Sequence, residues 1–317
     1  VSNDLSGRLA RVLAAGAQPL IAHGVEGVLP AGAAGCDDFG AIAPNAFAFP
    51  LIDGSGGTTD LGREASPILR FARDFGGVLA DLDPDDQPMV VDPDDGSDGV
   101  VAVPRSGGAG TVVFFFRRGD SSATHVVDRT GRRIPVRFGD TDFTWTLLDA
   151  DLQGEGRLDY VTGVPLALLS GRMLVVSAPS GESVELSIDD RPLSTSAPRN
   201  RQDGSGPVIE QHAGFTIVVL NERQAGTLIE DGDAIVIGGS QVGKDGSVRP
   251  FEEMAPIRID VDGNRTRPET MEIAGRGTRR IKTWLSWDDT FHTRERVADV
   301  RSEPNKFRPW LFLPAGN

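Results

Sequence analysis

The chain has 317 residues, with 46 acidic and 32 basic side chains, so its formal net charge at pH 7 is -14. Such a balance disfavours nucleic acid as a partner, because phosphate neutralisation needs a basic face. The single cysteine, Cys36, excludes an internal disulfide framework and any multi-cysteine metal site. No run approaches the roughly 18 apolar residues of a membrane span, so we expect no transmembrane helix.

The charged residues are unevenly divided between the residue types. Asp outnumbers Glu by 32 to 14, and 29 of the 32 basic residues are Arg. A strongly negative surface is destabilised by self-repulsion in dilute buffer, and salt screens that repulsion. The composition therefore predicts a protein adapted to high salt. The alternative is a genome rich in G and C, which also replaces Lys by Arg.

Residues 1–82 predict a small α/β segment. Apolar residues recur on one helical face from Asp4 to Ala15, and two short strand-like pieces follow at 19–22 and 46–52. A second helix is predicted from Thr58 or Thr59 to about Leu82, because apolar side chains form a broad stripe along it.

Residues 83–99 predict an acidic, Pro- and Asp-rich linker. The surrounding segment 81–99 contains eight Asp and three Pro and shows no periodicity. Its charges repel one another, which disfavours a packed core.

From Val100 onward, alternating or short apolar runs lie between turn signals, which is typical of antiparallel β-structure. We expect a β-sandwich domain at 100–190 and a second β-rich domain at 191–317. The fold class predicted is therefore mainly β, with antiparallel β-sandwich domains preceded by a small α/β segment. The candidate strands are 111–117, 125–127, 133–138, 143–148, 172–177, 183–188, 215–220, 234–237, 257–261, 279–285 and 310–313.

Four successive segments resemble one known family. They read GTVVFFFRRG, IPVRFGDTDFTWTLLDADL, RLDYVTGVPLALL and RMLVVSAPSGESVELSI. They resemble the β-rich region that follows the catalytic barrel in family 35 glycoside hydrolases, the β-galactosidases. Phe47–Gly56 and the helix after it are similar to the end of that barrel. The runs GFTIVVLNERQAGTL and GDAIVIGGSQVGKDG are similar to a further β region of the same enzymes.

The resemblance implies a chain without the catalytic part of such an enzyme. A retaining glycosidase needs two carboxylates about 5–5.5 Å apart, which an eight-stranded barrel of roughly 250 residues supplies. Only 82 residues precede the predicted linker, so we expect no catalytic residues here. Asn221–Glu222 follows an apolar run as glycosidase acids often do, but βα units do not surround it, and an exposed turn acid is the favoured interpretation.

One acidic turn is a candidate cation site. Asp151, Gln153, Glu155 and Asp159 occupy relative positions 1, 3, 5 and 9, with Gly156 at position 6. Oxygen ligands at alternate positions around a sharp turn suit Ca²⁺, and the run resembles the calcium loops of integrin-like propeller repeats. A solvated β-turn is the alternative. Weaker copies are Asp92/Asp94/Asp98 and Asp260/Asp262/Asn264.

Two further motifs bear on function. Trp284 and Trp287 are candidate carbohydrate-binding residues, since aromatic faces pack on apolar sugar faces. They lie three apart, however, so a strand would place them on opposite faces, and core packing is the alternative. Asn264-Arg-Thr266 is a glycosylation sequon, which matters only in an exported protein.

These patterns leave three functional hypotheses. The first is a non-catalytic β-rich chain related to β-galactosidase accessory domains, with carbohydrate or another protein subunit as its partner. The second is an assembly protein of a halophile's cell surface or virus particle, with a homo-oligomer as its working form. The third, an autonomous hydrolase, is disfavoured by the missing barrel. Fold analogy alone cannot separate the first two.

Overall fold

The computed structural model describes residues 10, 11, 14, 58, 60–84, 90–92, 99–118, 123–127, 131–200, 206–252, 254–271, 277–287 and 290–300. For 60, 61, 90–92, 123, 124, 277–287 and 290–300 it describes the backbone alone. Ala10, Arg11 and Ala14 are helical, as predicted; the rest of the helix at Asp4–Ala15 lies outside the described residues. The predicted strands at 19–22, 46–52 and 310–313, Cys36 and most of Phe47–Gly56 lie outside them too.

Three helices and 22 strands make up the described elements. The helices are α1 (Asp60–Asp74), α2 (Gly76–Ala80) and α3 (Glu222–Gly226). The strands of the first half are β1 (Asp83–Pro84), β2 (Val90–Asp92), β3 (Val100–Gly107), β4 (Gly110–Arg117), β5 (Ala123–Val127), β6 (Arg133–Arg137), β7 (Phe143–Asp151), β8 (Arg157–Val161), β9 (Val164–Leu169), β10 (Met173–Ala178) and β11 (Ser183–Ile188). Those of the second half are β12 (Arg191–Ser196), β13 (Val208–His212), β14 (Phe215–Asn221), β15 (Ile229–Asp231), β16 (Ala234–Ile237), β17 (Gly239–Val242), β18 (Val248–Pro250), β19 (Ile257–Asp260), β20 (Arg265–Thr266), β21 (Gly277–Trp287) and β22 (Thr290–Val300).

The mainly β fold with antiparallel sheets is confirmed. The largest sheet has the strand order β1-β3-β4-β7-β8-β11-β12, and all its neighbouring pairs are antiparallel. A four-stranded sheet has the order β13-β14-β10-β9, in which only β10 and β14 run parallel. Buried residues of both sheets form one core cluster, so the two sheets make a sandwich.

The two sheets differ in how much of their surface is buried. All six residues of β10 and all seven of β14 are buried, so the middle of the four-stranded sheet is covered on both faces. This explains the continuous apolar runs that mark both strands in the sequence.

The largest sheet has an inner and an outer face. On β4, Val112 and Phe114 belong to the inner core cluster, whereas Val113 and Phe115 belong to a separate outer cluster. This alternation follows from the period of two in a strand. A three-stranded sheet, β2-β5-β6, supplies Val126 and other members of the outer cluster and so covers part of the outer face.

Helix α1 packs into the inner core through one face. Ile68, Phe71 and Phe75 are at most 2% exposed, and the Phe71 ring lies 5.2 Å from that of Phe75 and 5.5 Å from that of Trp145. The predicted helix to Leu82 is interrupted at Phe75, where α1 ends and the short helix α2 begins. Two glycines open α2, and glycine weakens a continuous helix.

Two strands fall in the segment predicted to be a linker. The β1 strand pairs with β3, and β2 pairs with β5. The Val90–Val91 dipeptide supplies β-forming residues within an otherwise acidic stretch. Part of residues 83–99 is therefore in sheets.

The chain divides into two compact units. One comprises Val1–Ile21 and Arg63–Glu269, and the other comprises Ala22–Gly62 and Thr270–Asn317. All three boundaries of the predicted four-part division lie inside the first unit, so the compact units follow a different division of the chain. The described strands of the second unit are β21 and β22, which form an antiparallel hairpin.

The remaining strands of the first unit form smaller sheets. One has the order β15-β16-β19-β20, and β17 pairs with β18. Among the described helices, none has the length and hydropathy needed to cross a membrane.

Candidate functional site

The outer face of the largest sheet changes character from one side to the other. At β4 and β7 it carries Phe115 and Leu148, which pack beneath the three-stranded sheet. At β8 and β11 the same outer face carries polar residues. We call Tyr160, Thr162, Glu185 and Ser187, together with Arg132 and Asp159 that contact them, the outer shelf.

Tyr160 joins the apolar and polar parts of this face. It pairs with Leu148 on β7 and with Ser187 on β11, and it packs partly buried against the outer cluster. The Arg132 guanidinium, just before β6, lies 4.5 Å from the centroid of the Tyr160 ring. A cation over an aromatic ring is attracted by the ring quadrupole. Among the described residues, none hydrogen-bonds the Tyr160 hydroxyl.

A hydrogen-bonded acid lies beside the ring. The Asp159 carboxylate accepts hydrogen bonds at Oδ2 from the Ser187 hydroxyl at 2.6 Å and from the Asp190 backbone N–H at 2.9 Å. The register between β8 and β11 shifts between Ser187 and Ile188. An irregularity of this kind re-aims a side chain at the edge of a regular ladder, and here it brings Asp159 to Ser187.

Hydrogen bonds hold Thr162 and Glu185 of the shelf together, and an ion pair lies nearby in sequence. Thr162 and Glu185 exchange two hydrogen bonds of 2.8 Å: the Thr162 N–H donates to the Glu185 carbonyl, and the Glu185 N–H donates to the Thr162 hydroxyl. Arg137, at the end of β6, lies 2.9 Å from the Glu182 carboxylate. The shelf therefore presents an aromatic ring, carboxylates and cationic N–H donors on a rigid sheet.

The predicted calcium residues lie in and beside the β7–β8 turn. The Asp151 carboxylate accepts the Gly154 N–H at 2.9 Å, and Gln153 has a positive φ of 58°. The Glu155 carboxylate lies 4.0 Å from the Arg172 guanidinium. Asp159 lies on β8, where its carboxylate accepts the hydrogen bonds from Ser187 and Asp190. Among the described residues, no group of three or more His, Cys, Asp or Glu side chains has a metal-binding arrangement. The calcium site stays a prediction.

The weaker acidic copy at 260–264 is a self-contained turn. The Asp260 carboxylate accepts hydrogen bonds from the Asp262 N–H at 3.1 Å, the Asn264 N–H at 2.9 Å and the Asn264 side-chain amide at 3.0 Å. These bonds lower the pKa of Asp260, and the bond from the Asn264 side chain contributes most. The other copy reaches outside the described residues at Asp94 and Asp98.

Glu222 opens helix α3 and is half-buried. The preceding residue, Asn221, caps the helix: its side chain accepts the Gln224 N–H at 2.9 Å, and the Gln224 side chain accepts the Asn221 N–H at 3.1 Å. The Glu222 carboxylate accepts the Asp140 N–H at 3.2 Å. Burial, followed by the negative charge of Asp140, raises the pKa of Glu222, and the hydrogen bond from Asp140 opposes the rise.

Trp284 and Trp287 both belong to β21, where they pair with Thr293 and Thr290. An odd separation along one strand assigns the two positions to opposite faces of the hairpin. Their side chains lie outside the described residues, so their role in carbohydrate binding stays a prediction.

Sequence reasoning missed the outer shelf. Tyr160, the only tyrosine of the chain, lies in RLDYV, a run that contributes to the family resemblance and, through Asp159, to the candidate calcium site. The alternation of Leu158, Tyr160 and their neighbours could have indicated a strand, but Arg132 and Ser187 are distant in sequence. Only strand pairing brings the three together.

Comparison with known family models finds no family that matches the chain, and comparison with curated proteins finds no matching relative.

Proposed function

We propose that the protein is a non-catalytic, carbohydrate-binding β-sandwich chain, related to the β-rich regions that accompany a catalytic barrel in family 35 glycoside hydrolases. The observation that supports carbohydrate binding is the outer shelf, where the Arg132 guanidinium lies 4.5 Å from the Tyr160 ring centroid and the Asp159 carboxylate accepts the Ser187 hydroxyl. The resemblance of residues 110–190 supports the family relation.

The chemistry of the shelf suits a saccharide. Sugars present apolar C–H faces and a ring of hydroxyl groups, so they pack on aromatic side chains and exchange hydrogen bonds with carboxylates and guanidinium groups. Tyr160 supplies the apolar surface and a hydroxyl. Asp159 supplies acceptors, and Arg132 supplies guanidinium N–H donors. A rigid sheet keeps the ordering cost of binding low.

A titration calorimetry experiment tests this proposal. Lactose and a β-linked galactan oligosaccharide are the probes, and the wild-type chain is compared with Tyr160→Ala and Arg132→Ala. We expect at least a tenfold loss of affinity in Tyr160→Ala, which corresponds to about 1.4 kcal/mol. Tyr160→Phe keeps the ring and separates stacking from the hydroxyl.

Arg223→Ala is the matched control for Arg132→Ala. Arg223 is exposed and pairs with Glu252 at 3.1 Å, but it lies on α3, away from the shelf in sequence. Its loss should leave saccharide affinity unchanged. Equal affinity of wild type and Tyr160→Ala would contradict the shelf as a binding site, and a loss confined to Trp284→Ala or Trp287→Ala would move the site to the hairpin.

Assembly into larger particles is the second candidate. The β12 strand lies at the edge of the largest sheet, and four of its six residues are exposed. Unpaired strand edges are templates for pairing with another chain. Sedimentation velocity in high salt tests this function: a large symmetric particle supports it, and a monomer at all concentrations contradicts it.

A further inference from the structure

The hairpin turn between β19 and β20 carries the only Asn-X-Ser/Thr sequence of the chain, Asn264-Arg265-Thr266. The turn contains none of the outer shelf residues and is distant from them in sequence. All three sequon residues are exposed, and the middle residue is not proline, which would prevent modification.

The surroundings of the sequon leave room for a large adduct. The β20 strand is the last strand of its sheet and pairs with β19 alone among the described strands. Exposed strand edges invite pairing with other chains, and natural proteins cover or blunt them. A bulky, hydrated group at Asn264 would cover this edge without entering the core.

We propose that Asn264 is an N-glycosylation site. Its donor would be an oligosaccharide carried on a lipid diphosphate, and an oligosaccharyltransferase would catalyse the transfer. The Asn264 Nδ2 forms a bond to the anomeric carbon, and the bond from that carbon to the diphosphate oxygen breaks. The diphosphate leaves with the electron pair, and the amide proton passes to a base of the transferase.

The turn determines when this reaction takes place. In the folded chain the Asn264 side-chain amide donates to Asp260 Oδ2 at 3.0 Å, and the Asn264 N–H donates to Asp260 Oδ1 at 2.9 Å. The Gln211 side chain fixes the turn further by donating to the Asp262 carbonyl at 2.9 Å. The acceptor nitrogen is therefore engaged once the hairpin has formed, so glycosylation precedes closure of the turn.

The experiment translates the full chain behind a secretory signal in the presence of microsomes that contain the transferase and its lipid-linked donor. Intact mass is measured before and after peptide-N-glycosidase treatment. We expect one glycan on the wild type, none on Asn264→Gln or Thr266→Ala, and one on Thr266→Ser, which keeps the hydroxyl. Asn200→Gln is the matched control, because Asn200 is exposed but lacks a hydroxyl residue two positions later.

A second arm tests the timing. The purified, folded chain is offered to the same membranes after synthesis; we expect severalfold lower occupancy than in the first arm, and a severalfold increase in Asp260→Ala. An unmodified wild type in the first arm, beside a glycosylated reference protein, overturns the proposal. A glycan that persists in Thr266→Ala also overturns the proposal. Equal occupancy of folded wild type and Asp260→Ala overturns the role of Asp260.

Discussion

One contact between two segments of the first unit that are distant in sequence involves a glycine and an acid. Gly139 lies against the Glu222 carboxylate, so a Cβ at position 139 would overlap Glu222 Oε1. The carboxylate thus lies against the backbone of residues 139 and 140, where it is half-buried and accepts the Asp140 N–H. A carboxyl group in such a place favours its protonated form.

We expect Glu222→Gln to stabilise the folded chain at pH 7. The pKa of Glu222 is raised above its ordinary value of 4.5 in the folded state. Ionisation therefore favours the unfolded state, and stability is lost as pH rises from about 4.5 through the folded pKa. Gln removes this loss and keeps an oxygen acceptor for Asp140. The gain should stay below about 1 kcal/mol, because the group is half exposed and water screens it.

Urea unfolding at pH 4 and pH 7 checks this result. The difference between variant and wild type should be present at pH 7 and should shrink at pH 4. Glu185→Gln, on an exposed strand position, is the control for the Glu-to-Gln substitution itself. A variant that is less stable than wild type at pH 7 would mean that the charge of Glu222 is favourable.

Two glycines should respond differently to alanine. At Gly139 the added methyl group meets the end of a flexible side chain, which can move at the cost of one hydrogen bond, about 1 kcal/mol. At Gly107 the methyl group would overlap the backbone carbonyl oxygen of Asp81. The backbone cannot move away as a side chain can, so Gly107→Ala should lower the free energy of unfolding by about 1–3 kcal/mol or more. Thermal unfolding ranks the two, and Glu222→Ala should cancel most of the cost of Gly139→Ala.

At the scale of elements, helix α1 is tied to β15 by ion pairs as well as by its apolar face. Arg70 Nε lies 3.0 Å from the Glu230 carboxylate, and Arg70 Nη2 donates to the Leu228 carbonyl at 2.5 Å. Burial lowers the pKa of Arg70, while the charge of Glu230 opposes this. Arg73 also pairs with Glu230. Arg73 pairs with Asp74 at 2.6 Å as well, so two carboxylates neutralise the two guanidinium groups.

We expect Glu230→Leu to destabilise more than Arg70→Met. Removing Glu230 leaves a buried cation without its main counter-charge, which costs about 3–5 kcal/mol. Removing Arg70 leaves Glu230 paired with Arg73. The double variant should cost less than the sum of the single ones, and denaturant unfolding of the four proteins gives the coupling. Additive costs would show that the pair does not interact.

The elements with strong apolar patterns could be predicted from sequence. Candidate strands from 111–117 to 279–285 all fall on observed strands, and those whose side chains are described bury at least one face. Strands such as β12 and β20 were missed, since edge strands that face water carry no apolar alternation. The site was missed for a related reason: Tyr160, Arg132 and Ser187 meet only through pairing between distant strands.

At the scale of the whole molecule, net charge is the dominant feature. A charge of -14 on 317 residues repels itself. If the composition reflects salt adaptation, the melting temperature should rise steadily from 0.1 M to 3 M KCl. Differential scanning fluorimetry measures it, with sucrose as the uncharged control for general exclusion effects. A flat curve would contradict the adaptation and favour a compositional origin in the genome.

The parallel pairing of β10 with β14 has a consequence for biosynthesis. Met173 pairs with Thr216, and Ala178 pairs with Asn221, so the ribosome completes β10 well before its second neighbour, β14, exists. Its first neighbour, β9, is already made. Pairing of β10 with β14 across such a separation is slow, because chain entropy opposes it. Until then one edge of this apolar strand is unpaired, a state open to chaperones and to self-association. Expression yield should therefore depend on translation speed between these two strands.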